Sequence, residues 1–125
     1  MEQEYLPEGF HYVLDCWDCD PILLDDEEYL TNLLVKAVDE SGGTILNVVS
    51  RKFEPTGASG QVLMSESHSC YHSYPSNTPN FIGWDLYHCG TSIDGMKAVQ
   101  IILDGLKPTK HFVKKIRRGH EDGFE

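Results

Sequence analysis

Glu66-Ser67 sets a hydroxyl directly after a carboxylate-bearing residue, and His68 and His72 add two imidazoles within the next five positions. A serine hydroxyl can attack the carbonyl carbon of the residue before it, closing a five-membered ring that opens to an ester. Loss of the Ser67 α-proton then expels the Glu66 carboxylate by β-elimination, and the dehydroalanine left behind hydrolyses to a pyruvoyl group and ammonia. Such a sequence of steps needs a strained turn at the scissile bond, a donor for the ring oxyanion and a base near the α-carbon. Ser59 is available as the donor and His72 as the base. Taken alone, however, Glu-Ser-His is a common tripeptide and reads more simply as a surface turn.

Other reactive groups have plainer explanations. Cys16-Trp17-Asp18-Cys19 has the spacing of a redox or zinc pair, but it ends a strand instead of opening a helix, and Pro21 follows. A zinc site would have to recruit His68 and His72 across a gap far longer than finger spacing, so no metal is expected. Asp25-Asp26-Glu27-Glu28 reads as the solvated first turn of a helix, where the dipole favours carboxylates. Cys89 by itself is a small buried hydrophobe, Phe53 a core residue, and His88 and His111 satisfied strand residues.

The elements that would hold these groups follow from periodicity. His11 to Trp17 is rich in strand formers. Leu30, Leu33, Leu34, Ala37 and Val38 recur at helical spacing, ended by Gly42-Gly43. Thr44 to Phe53, Gln61 to Met64, Cys70 to Tyr74 and Phe81 to Tyr87 read as strands, with the reactive bond between the second and third of them. Met96, Val99, Ile102, Leu103 and Leu106 give a second amphipathic helix, stopped at Pro108, and His111 to Ile116 a last strand. The order β-α-β-β-β-β-α-β predicts a single α+β domain over residues 1–125. It is a two-layer sandwich, a mostly antiparallel β-sheet with two helices on one face. The other face would need a partner, which favours a homodimer.

Composition narrows the function class. The 125 residues carry a net charge of −10, with ten carboxylates and no Lys or Arg in residues 1–30, and six Lys or Arg in residues 107–118. An acidic chain repels phosphates, so nucleic acid is not an expected partner. No apolar run approaches a membrane span, and the first residues lack a basic leader, so the expected location is cytoplasmic, with the four cysteines reduced.

The joint pattern is more specific than its parts. Gly57-Ala58-Ser59-Gly60, the segment Ser65 to Pro75, and Asp85-Leu86-Tyr87-His88-Cys89-Gly90 resemble the self-cleavage and active-site motifs of pyruvoyl-dependent S-adenosylmethionine decarboxylases, in their short bacterial and archaeal form. With Phe53 and Pro55, these positions fall in family order, without a gap from His11 through Pro75, and the match weakens after Gly90. The resemblance implies cleavage between Glu66 and Ser67 into residues 1–66 and 67–125, in polyamine (spermidine) biosynthesis. It casts Ser67 as precursor of the pyruvoyl cofactor and its Schiff base, Ser59 as stabiliser of the ring and His72 as the processing base. Cys89 becomes the proton donor in decarboxylation, and Phe53 the residue stacked on the substrate's adenine.

The chain departs from the family where Thr-Trp-Pro-Glu is usual. It has Ser73-Tyr74-Pro75-Ser76, without the Glu expected to hold the ribose, and the loop to Cys89 is about two residues longer. Asn77 or Asn80 could take over the ribose. The same chemistry on ornithine or arginine is the alternative, and an uncleaved, non-catalytic regulatory homologue a third reading.

Overall fold

Residues 7–124, described by a computed structural model, form six strands and three helices. Strand β1 (Gly9–Trp17) is followed by a one-turn helix α1 (Pro21–Leu24) and helix α2 (Glu27–Glu40). Strands β2 (Ile45–Lys52), β3 (Ala58–Met64), β4 (Ser67–Tyr74) and β5 (Phe81–Cys89) come next, then α3 (Gly95–Leu106) and β6 (Lys110–Arg118). The order is the expected one with α1 added. Pro21 pre-sets the first helical turn and the Asp20 side chain caps it, signals too short to register as periodicity.

One sheet holds all six strands in the order β2-β3-β4-β5-β1-β6, and every neighbouring pair is antiparallel. Because side chains alternate along a strand, each strand divides its residues between two faces. Tyr12, Leu14 and Cys16 of β1, Tyr71 of β4, and Ile82, Trp84 and Leu86 of β5 point to one face and are buried. Their core partners are Leu30, Leu34, Ala37 and Val38 of α2 and Ala98, Val99, Ile102 and Leu106 of α3. Both long helices therefore cover the same face. Met96, counted in the α3 stripe from its spacing, is instead half exposed.

The helices are held by local chemistry as well as burial. Asp26 caps α2 by accepting the Tyr29 N–H at 3.0 Å, and Asp94 caps α3 by accepting the Lys97 N–H at 3.1 Å. Gly95 is required by proximity: a Cβ there would lie 2.0 Å from a Tyr12 ring carbon. Gly105 is similar, since a Cβ would meet the Leu33 side chain at 2.6 Å.

Among the described residues no helix covers the second face. It carries His11, Asp85, Tyr87, Cys89, His68, Cys70, His72 and Ser59, so nearly every residue with candidate chemistry lies on the uncovered side of the sheet. None of the described helices is long and apolar enough to cross a membrane.

Candidate active site

The turn Ser65-Glu66 joins β3 to β4, and Ser67 is the first residue of β4. The Glu66–Ser67 peptide is thus at the turn of the β3–β4 hairpin. Ser67 has φ +144°, a region an L-residue with a side chain enters only under constraint from its surroundings. The constraint is visible. The Cys89 N–H donates to the Glu66 carbonyl oxygen at 2.9 Å, and the Thr44 N–H and hydroxyl donate to the two Glu66 carboxylate oxygens at 3.0 and 3.1 Å. The Ser67 hydroxyl lies 3.1 Å from Nδ1 of His68, which can take its proton. Spacing had singled out His68 only as part of a motif, and its contact depends on the twist of the first residue of a strand.

Ser67, Cys89, Tyr87 and Arg118 line one open cleft of about 530 Å³. Behind it a chain of polar contacts crosses the uncovered face. Arg118 donates to Nδ1 of His11 at 3.2 Å, and His11 donates from Nε2 to Asp85 at 2.8 Å. A guanidinium can only donate, so His11 carries its proton on Nε2. Asp85 also accepts the Cys70 thiol at 2.9 Å. Burial, with the Asp85 hydrogen bond and charge, pushes the Cys70 thiol up to about 12, so it is not a nucleophile at neutral pH.

Ser59 and His72 face each other across the β3–β4 pair. They are not beside Ser67. His72 is five residues along β4, which at the rise of an extended strand is about 16 Å away. Around His72 the rings of Phe53 (5.5 Å between centroids) and Tyr74 (4.9 Å) form an aromatic shelf over a smaller cleft of about 260 Å³, which Asn77 also lines. Asp25 braces this end: it accepts the Gly57 N–H at 2.8 Å and pairs with Lys52 at 2.9 Å, contacts that hold its carboxyl below the usual range. Asn80 cannot serve a ligand there. It is buried and spans the Cys19 backbone, accepting its N–H at 2.8 Å and donating to its carbonyl at 2.7 Å.

Cys16 and Cys19 are buried away from His68 and His72, which project from the opposite face. Burial pushes their thiols up to about 12 and about 11, the reverse of what redox or thiolate–metal chemistry requires.

His88 is not a satisfied strand residue. It is the register partner of Ser67, is 2% exposed, and stacks on Tyr12 at 5.9 Å. Its Nε2 finds no partner among the described residues. Burial, reinforced by Lys115 and opposed by the backbone at Cys89 and Gly90 and by Glu66, lowers its pKa below the usual 6.5. The folded chain then holds His88 neutral while the unfolded chain protonates it below about 6.5, so its contribution is complete above that pH and is lost as pH falls. The loss is at most about 1.4 kcal/mol per pH unit. His88→Phe is expected to flatten the fall in urea midpoint between pH 7 and pH 5. An unchanged slope would exclude His88 as the cause.

Comparison with known proteins gives a consistent picture. A family model described as S-adenosylmethionine decarboxylase matches residues 10–119. The S-adenosylmethionine decarboxylase proenzyme 2 of Bacillus cereus (strain ZK / E33L) is 42% identical over 116 residues, covering 93% of each chain. The S-adenosylmethionine decarboxylase proenzyme of Brevibacillus brevis is 38% identical, covering 93% of this chain and 86% of its own. The crystal structure of the adenosylmethionine decarboxylase from Aquifex aeolicus superposes with a TM-score of 0.83 at 28% identity, covering 92% of this chain and 93% of that one.

Proposed function

The chain belongs to the S-adenosylmethionine decarboxylase family, and we propose that it is a proenzyme that cleaves itself between Glu66 and Ser67 and decarboxylates S-adenosylmethionine for polyamine synthesis. The observation that carries this reading is the Glu66–Ser67 junction: a positive φ at Ser67, the Glu66 carbonyl held by the Cys89 N–H, and the Ser67 hydroxyl beside His68.

These residues fit the pyruvoyl group that the family makes from its own serine. The Cys89 N–H already points at the oxygen that turns anionic when the Ser67 hydroxyl adds to the Glu66 carbonyl carbon, the geometry an oxyanion donor needs. The cleft in front of Ser67 gives room for the amino-acid end of a substrate. The group supplies an electrophilic carbonyl for a substrate amine and an electron sink for the departing carboxylate. Cys89 lines the same cleft, placed to hold a proton for return to the substrate α-carbon. Phe53 and Tyr74 offer a flat surface for a purine.

The separation of Ser67 and Cys89 from Ser59 and His72 belongs to this reading. General acid–base catalysis needs contact at about 3 Å. A gap of about 16 Å along one strand excludes it within a protomer. Two copies that pack their uncovered faces together, related by a two-fold axis lying across the strands, would bring the partner's Ser59 and the partner's His72 to each Ser67. Six strands of about eight residues present about 800 Å² per protomer, the area of a standard stable interface. On this reading the working form is a homodimer with two shared sites.

Ser76, standing where the family has its ribose-binding Glu, makes the substrate the point to test. CO₂ release should be measured with S-adenosylmethionine, ornithine and arginine side by side. Turnover on S-adenosylmethionine at least a hundredfold above the other two is expected; turnover confined to ornithine or arginine would overturn the assignment.

A further inference from the structure

Three elements distant in sequence meet at Glu66. The Thr44 carbonyl accepts the Ser65 N–H at 2.9 Å, the Thr44 N–H and hydroxyl hold the Glu66 carboxylate at 3.0 and 3.1 Å, and the Cys89 N–H holds the Glu66 carbonyl at 2.9 Å. The residue that donates its carbonyl carbon to the self-cleavage is thus gripped by main chain and by side chain, from opposite sides. Thr44 reaches it because it immediately precedes β2, whose first residue Ile45 pairs with Met64, the last of β3. The hairpin register delivers Thr44 to the turn.

We infer that Thr44 is a positioning residue for self-cleavage, acting through the Glu66 side chain to keep the scissile peptide plane in its strained orientation. The physical argument starts from Ser67. A φ of +144° relaxes to the ordinary negative region if the Glu66–Ser67 peptide plane rotates. The Cys89 N–H resists that rotation at the carbonyl oxygen, but a single hydrogen bond can pivot. A second anchor on the other side of the Glu66 α-carbon removes the pivot, and the paired donors of Thr44 on a carboxylate are of the stronger, charge-assisted kind. The consequence is a carbonyl held still while the Ser67 hydroxyl approaches, which is where orientation lowers a barrier. Thr44 is exposed and outside the core, so its side chain has no packing duty. It touches neither the attacking oxygen nor the carbonyl, and it takes no proton.

The inference rests on cleavage between Glu66 and Ser67, and its test separates the two. Full-length chains are made in a short pulse of cell-free synthesis, and cleavage is followed by denatured intact mass, with thermal midpoints as a check on folding. Thr44→Val, which keeps the shape and the N–H but loses the hydroxyl, is expected to cleave about tenfold more slowly. Thr44→Ser is expected to restore the rate to within about twofold, because it returns the donor. Glu66→Ala, which removes both Thr44 contacts, is expected to be slow as well, and adding Thr44→Val to it should slow it no further, since the hydroxyl then has no carboxylate left to hold. Thr44→Val at the wild-type rate, Thr44→Ser as slow as Thr44→Val, or effects that multiply in the double variant would each overturn the role of Thr44 while leaving self-cleavage intact. A wild-type chain that never cleaves, or cleaves elsewhere, removes the processing reading and this role with it.

Discussion

Ser67→Ala is expected to persist as one uncleaved chain and to release no CO₂, whereas Cys89→Ala is expected to cleave and then turn over poorly. The contrast follows from which atoms each residue contributes. Ser67→Ala removes the only oxygen that can close a five-membered ring on the Glu66 carbonyl, so no ester forms and nothing can be eliminated. The backbone strain at Ser67 and the Cys89 N–H remain in place but have no nucleophile to serve. Cys89→Ala is the complementary case. The backbone N–H that holds the Glu66 carbonyl survives the substitution, so cleavage continues. What disappears is the side-chain proton facing the Ser67 cleft, and loss of a positioned general acid lowers turnover by about a hundredfold or more. Denatured intact mass checks the first half of the expectation. Two pieces ending at Glu66 and beginning at position 67 should appear in wild type and Cys89→Ala only. CO₂ release and product identity check the second half. An active, uncleaved Ser67→Ala would sink the whole scheme, and a Cys89→Ala enzyme with wild-type turnover and product would remove Cys89 from the mechanism.

Much of this architecture is legible in the sequence because it depends on local signals. The α2 stripe of Leu30, Leu34, Ala37 and Val38 has helical spacing, and the β-branched Ile45 to Val49 run has no helical competitor, so those elements appear where periodicity puts them. The family motif is legible for a different reason: several separated positions had to agree at once. What could not be read is whatever depends on register. The five-position step from Ser67 to His72 looks like proximity, yet in an extended strand it is distance. Thr44 lies 22 positions before Glu66 and gave no signal, because only the β2–β3 pairing brings it to the turn. His88 looked like an ordinary strand histidine, since alternation could not say that its face is the one the helices cover. Asn80, offered as a ribose ligand from its type and loop position, turned out to staple the backbone at Cys19.

The distance between Ser67 and His72 makes a mixing experiment decisive for the proposed dimer. Ser67→Ala and His72→Ala are each expected to remain uncleaved when made alone, the first for want of a nucleophile and the second for want of a base. Made together, they are expected to rescue one another in one direction only. A mixed dimer has one site that combines the intact Ser67 of the His72→Ala chain with the intact His72 of the Ser67→Ala chain, and a second site that lacks both. The His72→Ala chain should therefore be cut, in about half of its copies if protomers associate at random and do not exchange. The Ser67→Ala chain should stay whole. This asymmetry distinguishes a shared site from simple stabilisation by a partner, which could not supply an imidazole across about 16 Å of strand. A mixture in which neither chain is cut would place His72 outside the cleavage chemistry of its neighbour, and a His72→Ala chain that cuts itself unaided would remove His72 from the chemistry altogether. Cleavage of the His72→Ala chain alone, in the mixture alone, is the outcome expected of the proposed shared site, in which Ser59 and His72 of the uncovered face serve the neighbouring protomer's Ser67.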